Sequence, residues 1–126
     1  MAEVMLKDNH FLVSQTDAHG KIIFANADFV AISGYSLDEL IGKSHNIVRH
    51  PDMPKAAFKQ LWDTIKAGKV WTGFVKNKTK SGDHYWVYAT IIESQSCHGS
   101  KAYLSARRKA FANEIAEADA LYKTMG

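Results

Sequence analysis

The sequence predicts an α+β fold: one five-stranded antiparallel sheet with short helices packed on one face, followed by a helical segment at the C-terminus. Three observations carry that expectation. Residues 11–25 hold two short strand-like runs on either side of a turn that ends in glycine. Residues 71–107 hold three more, joined by tight polar connections in the manner of a meander. Between them, residues 26–68 carry helix caps and apolar residues at helical spacing. Helices laid over one sheet enclose the middle of the chain, and the space between the layers is a usual place for a small molecule.

The elements follow in order. Phe11 to Thr16 alternates and reads as a strand, then Asp17-Ala18-His19-Gly20 turns the chain into a second strand, Lys21 to Ala25. Asn26 and Asp28 are placed to cap a short helix carrying Phe29, Val30 and Ile32, which Gly34 ends. Ser36-Leu37-Asp38-Glu39 has capping-box spacing and opens one more turn. After Pro54, the residues Ala57, Phe58, Leu61, Trp62 and Ile65 recur on one helical face with Lys55, Lys59 and Lys66 outside, and Gly68 stops that helix. Trp71 to Asn77, His84 to Glu93 and Ala102 to Arg107 are the last strands, linked by Lys78–Asp83 and by Ser96-Cys97-His98-Gly99. Asn113 is the expected cap of a final helical segment. The chain thus divides into an N-terminal cap segment (1–10), a main domain (11–109) and a C-terminal helical linker (110–126).

Composition sets limits. A chain of 126 residues suits a single domain with a real core. With 46% hydrophobic and 23% charged residues it has the make-up of an ordinary globule. No apolar run approaches the roughly 18 residues of a membrane span. One cysteine, Cys97, allows no internal disulfide, as suits a reducing compartment. The net charge of +3 comes from scattered basic residues, with Arg107-Arg108-Lys109 as the one cluster, too short for a nucleic-acid arm. No nucleophile in a recognisable setting, no phosphate-binding glycine loop and no carboxylate pair suggests an enzyme.

The densest chemistry lies in His45–Pro54, HNIVRHPDMP, which contains both prolines of the chain. Each proline fixes its own φ and pushes the preceding residue out of the helical region, so this backbone is stiff and punctuated. His45, His50 and Asp52 raise the idea of a metal, but no CxxC or HxxxH spacing supports one.

These residues also carry a resemblance. FANADF (24–29), SGYSLDELIGKSHNIVRHPDMPKAAF (33–58) and VWTGFVKNKTKSGDHYWV (70–87) resemble the PAS domain, in particular the sensor domain of bacterial aerotaxis receptors. That resemblance implies a PAS fold holding FAD non-covalently, with FMN and haem as alternatives. Carried over by position, the cofactor-binding residues are Asn26, Arg49, His50, Asp52 and Trp71, with His45 and Asn77 by analogy to related flavin domains. Arg107 falls where flavin light sensors use a glutamine. Those sensors need a reactive cysteine where this chain has His45, so a covalent photoadduct is not expected and redox sensing is. For haem, His45 or His50 would be the ligand. The third alternative is a cofactor-free PAS module for dimerisation.

The chemistry suits a flavin on its own terms, since the ring needs apolar walls plus a few donors and acceptors along one edge. Alternation puts Trp71, Gly73, Val75 and Asn77 on one strand face, with Gly73 leaving room for a ring. Tyr85, Val87, Ala89 and Ile91 share the next face, and Tyr103, Ser105 and Arg107 the last. Trp62 and Trp86 read as core aromatics. The resemblance further implies a cytoplasmic module of an inner-membrane receptor, whose downstream linker and signalling domains control a histidine kinase, with a homodimer among its partners.

Overall fold

The computed structural model describes residues 3, 4, 6–97 and 99–125. Five strands, β1 (Phe11–Asp17), β2 (Ile22–Ala25), β3 (Trp71–Lys78), β4 (His84–Gln95) and β5 (Lys101–Lys109), form one antiparallel sheet in the order β2-β1-β5-β4-β3. The chain's first and last strands therefore meet at the centre, with Ser14 opposite Ser105. The helices α1 (Ala27–Ser33), α2 (Leu37–Leu40) and α3 (Lys55–Lys66), with a 3-10 turn at His45–Val48, lie between β2 and β3 in sequence. The expected connection at Ser96–Gly99 closes with Ser96 N–H donating to the Ser100 carbonyl at 2.8 Å; His98 lies outside the described residues.

Local chemistry accounts for the helix ends. Asn26 Oδ1 accepts from Phe29 N–H at 3.0 Å and Gly34 ends α1 in the left-handed region. Both halves of the Ser36–Glu39 capping box form, at 3.2 and 2.9 Å. The C-terminal helix α4 (Ala112–Lys123) corrects one expectation. Its cap is Phe111, not Asn113, and Glu114 Oε1 reaches back to accept the Phe111 N–H at 3.0 Å. A carboxylate at the third helical position thus satisfies the N–H of the capping residue, while Phe111 offers no side-chain acceptor to the first turn.

The two faces of the sheet bury different things. The inner face contributes Leu12, Val75, Tyr85, Val87, Ala89, Ile91 and Tyr103 to the main core, against Phe29, Leu40, Val48, Ala57, Leu61 and Ile65 from the helical side. On the outer face, α4 folds back to make a second, smaller cluster of Trp86, Ala110 and Ala118 with Phe74, Ile115 and Tyr122 beside it. Tyr122 stacks on Trp86 at 6.2 Å and 16°, and its hydroxyl donates to the Phe74 carbonyl. The N-terminal segment is tied in as well: Val4 N–H donates to the His84 carbonyl at 2.7 Å and Leu6 is buried.

Candidate functional site

The His45–Pro54 segment is held on the sheet by backbone contacts that its prolines permit. Arg49 forms an antiparallel bridge with Asn77, and His50 N–H donates to the Lys76 carbonyl at 3.3 Å. At its start, His45 N–H donates to the Gly20 carbonyl at 2.9 Å. The segment thus spans from the β1–β2 turn to the end of β3. Beneath it, bounded by α3 and the inner sheet face, is a cavity of about 230 Å3.

Four of the eight expected site residues, His45, Arg49, Asn77 and Arg107, converge on this cavity. Arg107 is 5% exposed and Asn77 1%. With its oxygen turned toward the guanidinium, the Asn77 amide accepts from Arg107 Nη1 at 2.7 Å and donates to the Val48 carbonyl at 3.2 Å. The reverse orientation would set donor against donor and acceptor against acceptor. Arg107 Nε donates to Ser105 Oγ at 2.8 Å. Among the described residues no carboxylate lies within ion-pair distance of Arg107, and no Asp or Glu lines the cavity. Burial lowers the Arg107 pKa to about 10, so it remains a cation at neutral pH, held in a place that disfavours charge.

The same setting keeps His45 neutral. Burial first, and the Arg107 charge second, push its pKa down to about 3. Its Nε2 lies 3.0 Å from Ser14 Oγ, and Phe29 packs edge-on at 5.7 Å. Tyr85 is fully buried and lies against Asn77 and Arg107, yet its hydroxyl makes no hydrogen bond of good geometry. Burial pushes that hydroxyl's pKa up, so it stays protonated. Arg49 stacks over Phe58 with its guanidinium carbon 3.9 Å from the ring centroid and donates to the Met53 carbonyl at 3.5 Å.

The other four expected residues stand off the cavity wall. Asn26 is taken up as a cap and brace: besides Phe29 N–H it accepts from Val13 N–H at 3.1 Å and donates to the Phe11 carbonyl at 2.8 Å. His50 points aside, its Nδ1 accepting from Asp52 N–H at 3.0 Å and its ring against His84 at 5.9 Å. Burial and the Lys76 charge hold its pKa below the usual value. The Asp52 side chain is 64% exposed and pairs with Lys76 Nζ at 2.8 Å, the contact that chiefly lowers its pKa. Trp71 shares the inner face with Asn77 but does not reach the cavity. Its indole lies across Gly73, where a Cβ would come within 2.6 Å of the ring, so the room left by that glycine is filled by Trp71 itself.

Sequence reasoning missed Thr16, Ser44, Asn46, Phe58, Trp62, Tyr103 and Ser105 as wall residues. One signal was available. Strand alternation already put Tyr103 and Ser105 beside Arg107, and puts Thr16 in phase with Leu12 and Ser14. Trp62 was assigned to the core, and it is half-buried at the cavity's edge.

A family model described as the PAS fold matches residues 22–100. The chain belongs to the PAS family. It is 48% identical over 120 residues to the aerotaxis receptor of Escherichia coli K12, covering 95% of this chain and 24% of that protein. It is 28% identical over 105 residues to a nitrogen fixation regulatory protein of Klebsiella oxytoca, covering 82% of this chain and 21% of the relative. The chain therefore spans about a quarter or less of these relatives. Among solved structures, the PAS chain superposes on a light-oxygen-voltage domain studied with a flavin analogue (TM-score 0.72, 22% identity, 89% of this chain and 84% of that one). It also matches the light state of the blue-light photoreceptor Aureochrome1 LOV (TM-score 0.73, 19% identity, 92% of both). At those identities the likeness concerns the fold. No helix among the described residues is long and apolar enough to cross a membrane.

Proposed function

We propose that this PAS domain is the flavin-binding redox sensor of an aerotaxis transducer, with the flavin ring held non-covalently in the cavity between α3 and the sheet. The single observation that carries the reading is Arg107: a buried cation with no carboxylate partner among the described residues, bordering a cavity without acids. Such a charge is costly unless a ligand meets it with electron-rich groups. The carbonyls and ring nitrogens along one edge of a flavin are groups of that kind, and Leu61, Ile65, Val75 and Ile91 supply the apolar walls a ring needs.

The residues divide the work. Arg107 and Asn77 face the polar edge of the ring, their own hydrogen bond fixing which atoms of each point inward. His45, neutral, presents an apolar face with a polar rim. Arg49, steadied on Phe58, is the second cation on the wall and suits a ring carbonyl or a phosphate. A bound flavin would supply one- or two-electron redox chemistry and, with it, a change of charge at its ring nitrogens. Arg107 and Asn77 respond to that charge because they are buried and joined to each other across β5 and β3, so a change of preference at one is felt at the other. The downstream parts of a longer receptor, including those that govern a histidine kinase from the cytoplasm, would read the resulting shift in the sheet.

The purified chain tests this directly. Flavin absorption bands with about one flavin per chain after reconstitution support the reading, and loss of binding in Arg107→Ala with the fold retained supports the site. A chain that stays colourless after addition of excess FMN and FAD overturns it. A Soret band would transfer the cavity to haem, with His45 on the cavity wall as the candidate ligand.

A further inference from the structure

We propose that residues 49–54 form a strap hooked over the edge of the sheet and latched by the Lys76–Asp52 ion pair, and that opening of this strap admits a ligand to the cavity. The inference concerns the wall of the cavity and not the identity of its occupant. The flavin reading above supplies only the probe molecule for one arm of the test.

Size calls for a wall that moves. The cavity of about 230 Å3 is below the roughly 300–1,000 Å3 of pockets that enclose drug-sized ligands, so a ring system enters only if part of the wall gives way. Two walls are firmly built. The sheet is tied by a continuous ladder, from Trp71–Ile91 to Lys78–His84 and on through β5. On α3, the side chains of Ala57, Leu61 and Ile65 are buried in the main core. The strap, apart from the single bridge of Arg49 to Asn77, has no ladder or helix of its own, and Pro51 and Pro54 keep it from forming one.

Its hold on the sheet is gathered on one residue. β3 is an edge strand, so the outward backbone groups of Lys76 have no strand partner. The strap takes both. His50 N–H donates to the Lys76 carbonyl at 3.3 Å, longer than an ordinary backbone bond. Lys76 N–H donates to Met53 Sδ, also at 3.3 Å, and a thioether is a weak acceptor. Alternation sends the Lys76 side chain to the face opposite Val75 and Asn77, and there its Nζ meets Asp52 at 2.8 Å. Arg49 thus borders the cavity on the inner side while Asp52 grips the edge from the outer side.

The ion pair is the strong member of this set. The Lys76 side chain is only 13% exposed, and Asp52 is its one acidic partner among the described residues. The other groups that act on His50 here are Lys78 and His84, so removing the Asp52 charge leaves basic groups facing each other across the strap. Opening also uncovers Met53, which is buried, so the shut state dominates and the open one is a minor population.

The test combines amide exchange by NMR on the ligand-free chain with stopped-flow mixing with FMN. Both are applied to wild type, Asp52→Asn, Lys76→Met and the charge swap Asp52→Lys with Lys76→Asp. In wild type the His50 and Lys76 amides should exchange about tenfold or more faster than those of the β1–β5 ladder, because they report opening of the strap and not unfolding of the sheet. Each single variant should speed that exchange by about two- to fivefold, the worth of one ion pair near the surface, and the swap should bring it back. FMN entry and release should both quicken in the single variants and both return in the swap. Strap amides that exchange no faster than the ladder overturn the opening. Faster release without faster entry makes the pair a static support and overturns the gate. A swap that restores neither exchange nor rates overturns the latch. A chain that binds no FMN counts against the flavin reading alone, and amide exchange then decides the strap.

Discussion

Arg107 and Arg108 are neighbours on one strand with opposite surroundings. Arg107 points to the inner face between Leu12 and Ala89, buried, with one amide and one hydroxyl as its partners and a cavity before it. Arg108 points out, stacks on Tyr88 at 4.5 Å and meets both oxygens of Glu114 at 3.3 and 3.4 Å. The outer arginine has a carboxylate partner on α4 and so fastens that helix to the sheet. The inner one lacks a counter-charge that the described residues could supply. A one-residue change of parity separates a side chain paired with an acid from one that borders the cavity.

The largest expected effect tests the inner face by acid. A histidine depressed from 6.5 to about 3 binds a proton when unfolded but not when folded. Stability therefore rises with pH across that interval and is lost as pH falls below about 6.5, by up to roughly 1.4 kcal/mol per unit. Denaturation midpoints measured from pH 7 to 4 should show this slope, and His45→Gln should flatten it. An equal slope in the variant would assign the acid sensitivity elsewhere, His50 being shifted in the same direction.

Next comes the contrast of the two arginines. Arg107→Met should weaken flavin binding by about 10–100-fold, the worth of one or two charged hydrogen bonds, while Arg108→Met leaves it within about twofold. Equal losses in both would erase the distinction between the faces. Gly20→Ala should destabilise the chain by about 1–3 kcal/mol, since the new Cβ is strained at positive φ and also crowds Trp62. Urea midpoints measure it, and a loss under a few tenths would show that the turn and the indole move freely. The smallest effect belongs to the outer face: Tyr122→Phe should cost about 0.5–1.5 kcal/mol and speed amide exchange in α4 without altering flavin affinity.

Much of this was legible beforehand because it depends on local rules. The capping box at Ser36–Glu39, the cap at Asn26 and all five strands follow from residue types at short spacing, and their ends agree to within about two residues. Strand alternation also put Asn77 and Arg107 on faces that could meet. What was not legible is which partners arrive from a distance. His50 and Asp52 lie in the densest polar segment, yet Lys76 and His84, which occupy them, arrive from strands more than twenty residues later. Asn113 looked like a cap, but the helix already begins at Ala112, with Glu114 accepting the Phe111 N–H from within the first turn.

By itself, the sequence determined the fold class, the order of strands and helices, and the sidedness of each strand, since backbone periodicity and capping chemistry act over a few residues. The tertiary structure alone decided which side chains border the cavity. It turned Trp71 onto Gly73 and away from the wall, and it stood Trp62 at the mouth. It also set Arg107 against Asn77 with no acid near. Those outcomes depend on how α3 and the His45–Pro54 segment settle on the sheet, and that docking is fixed by packing between residues far apart in the chain.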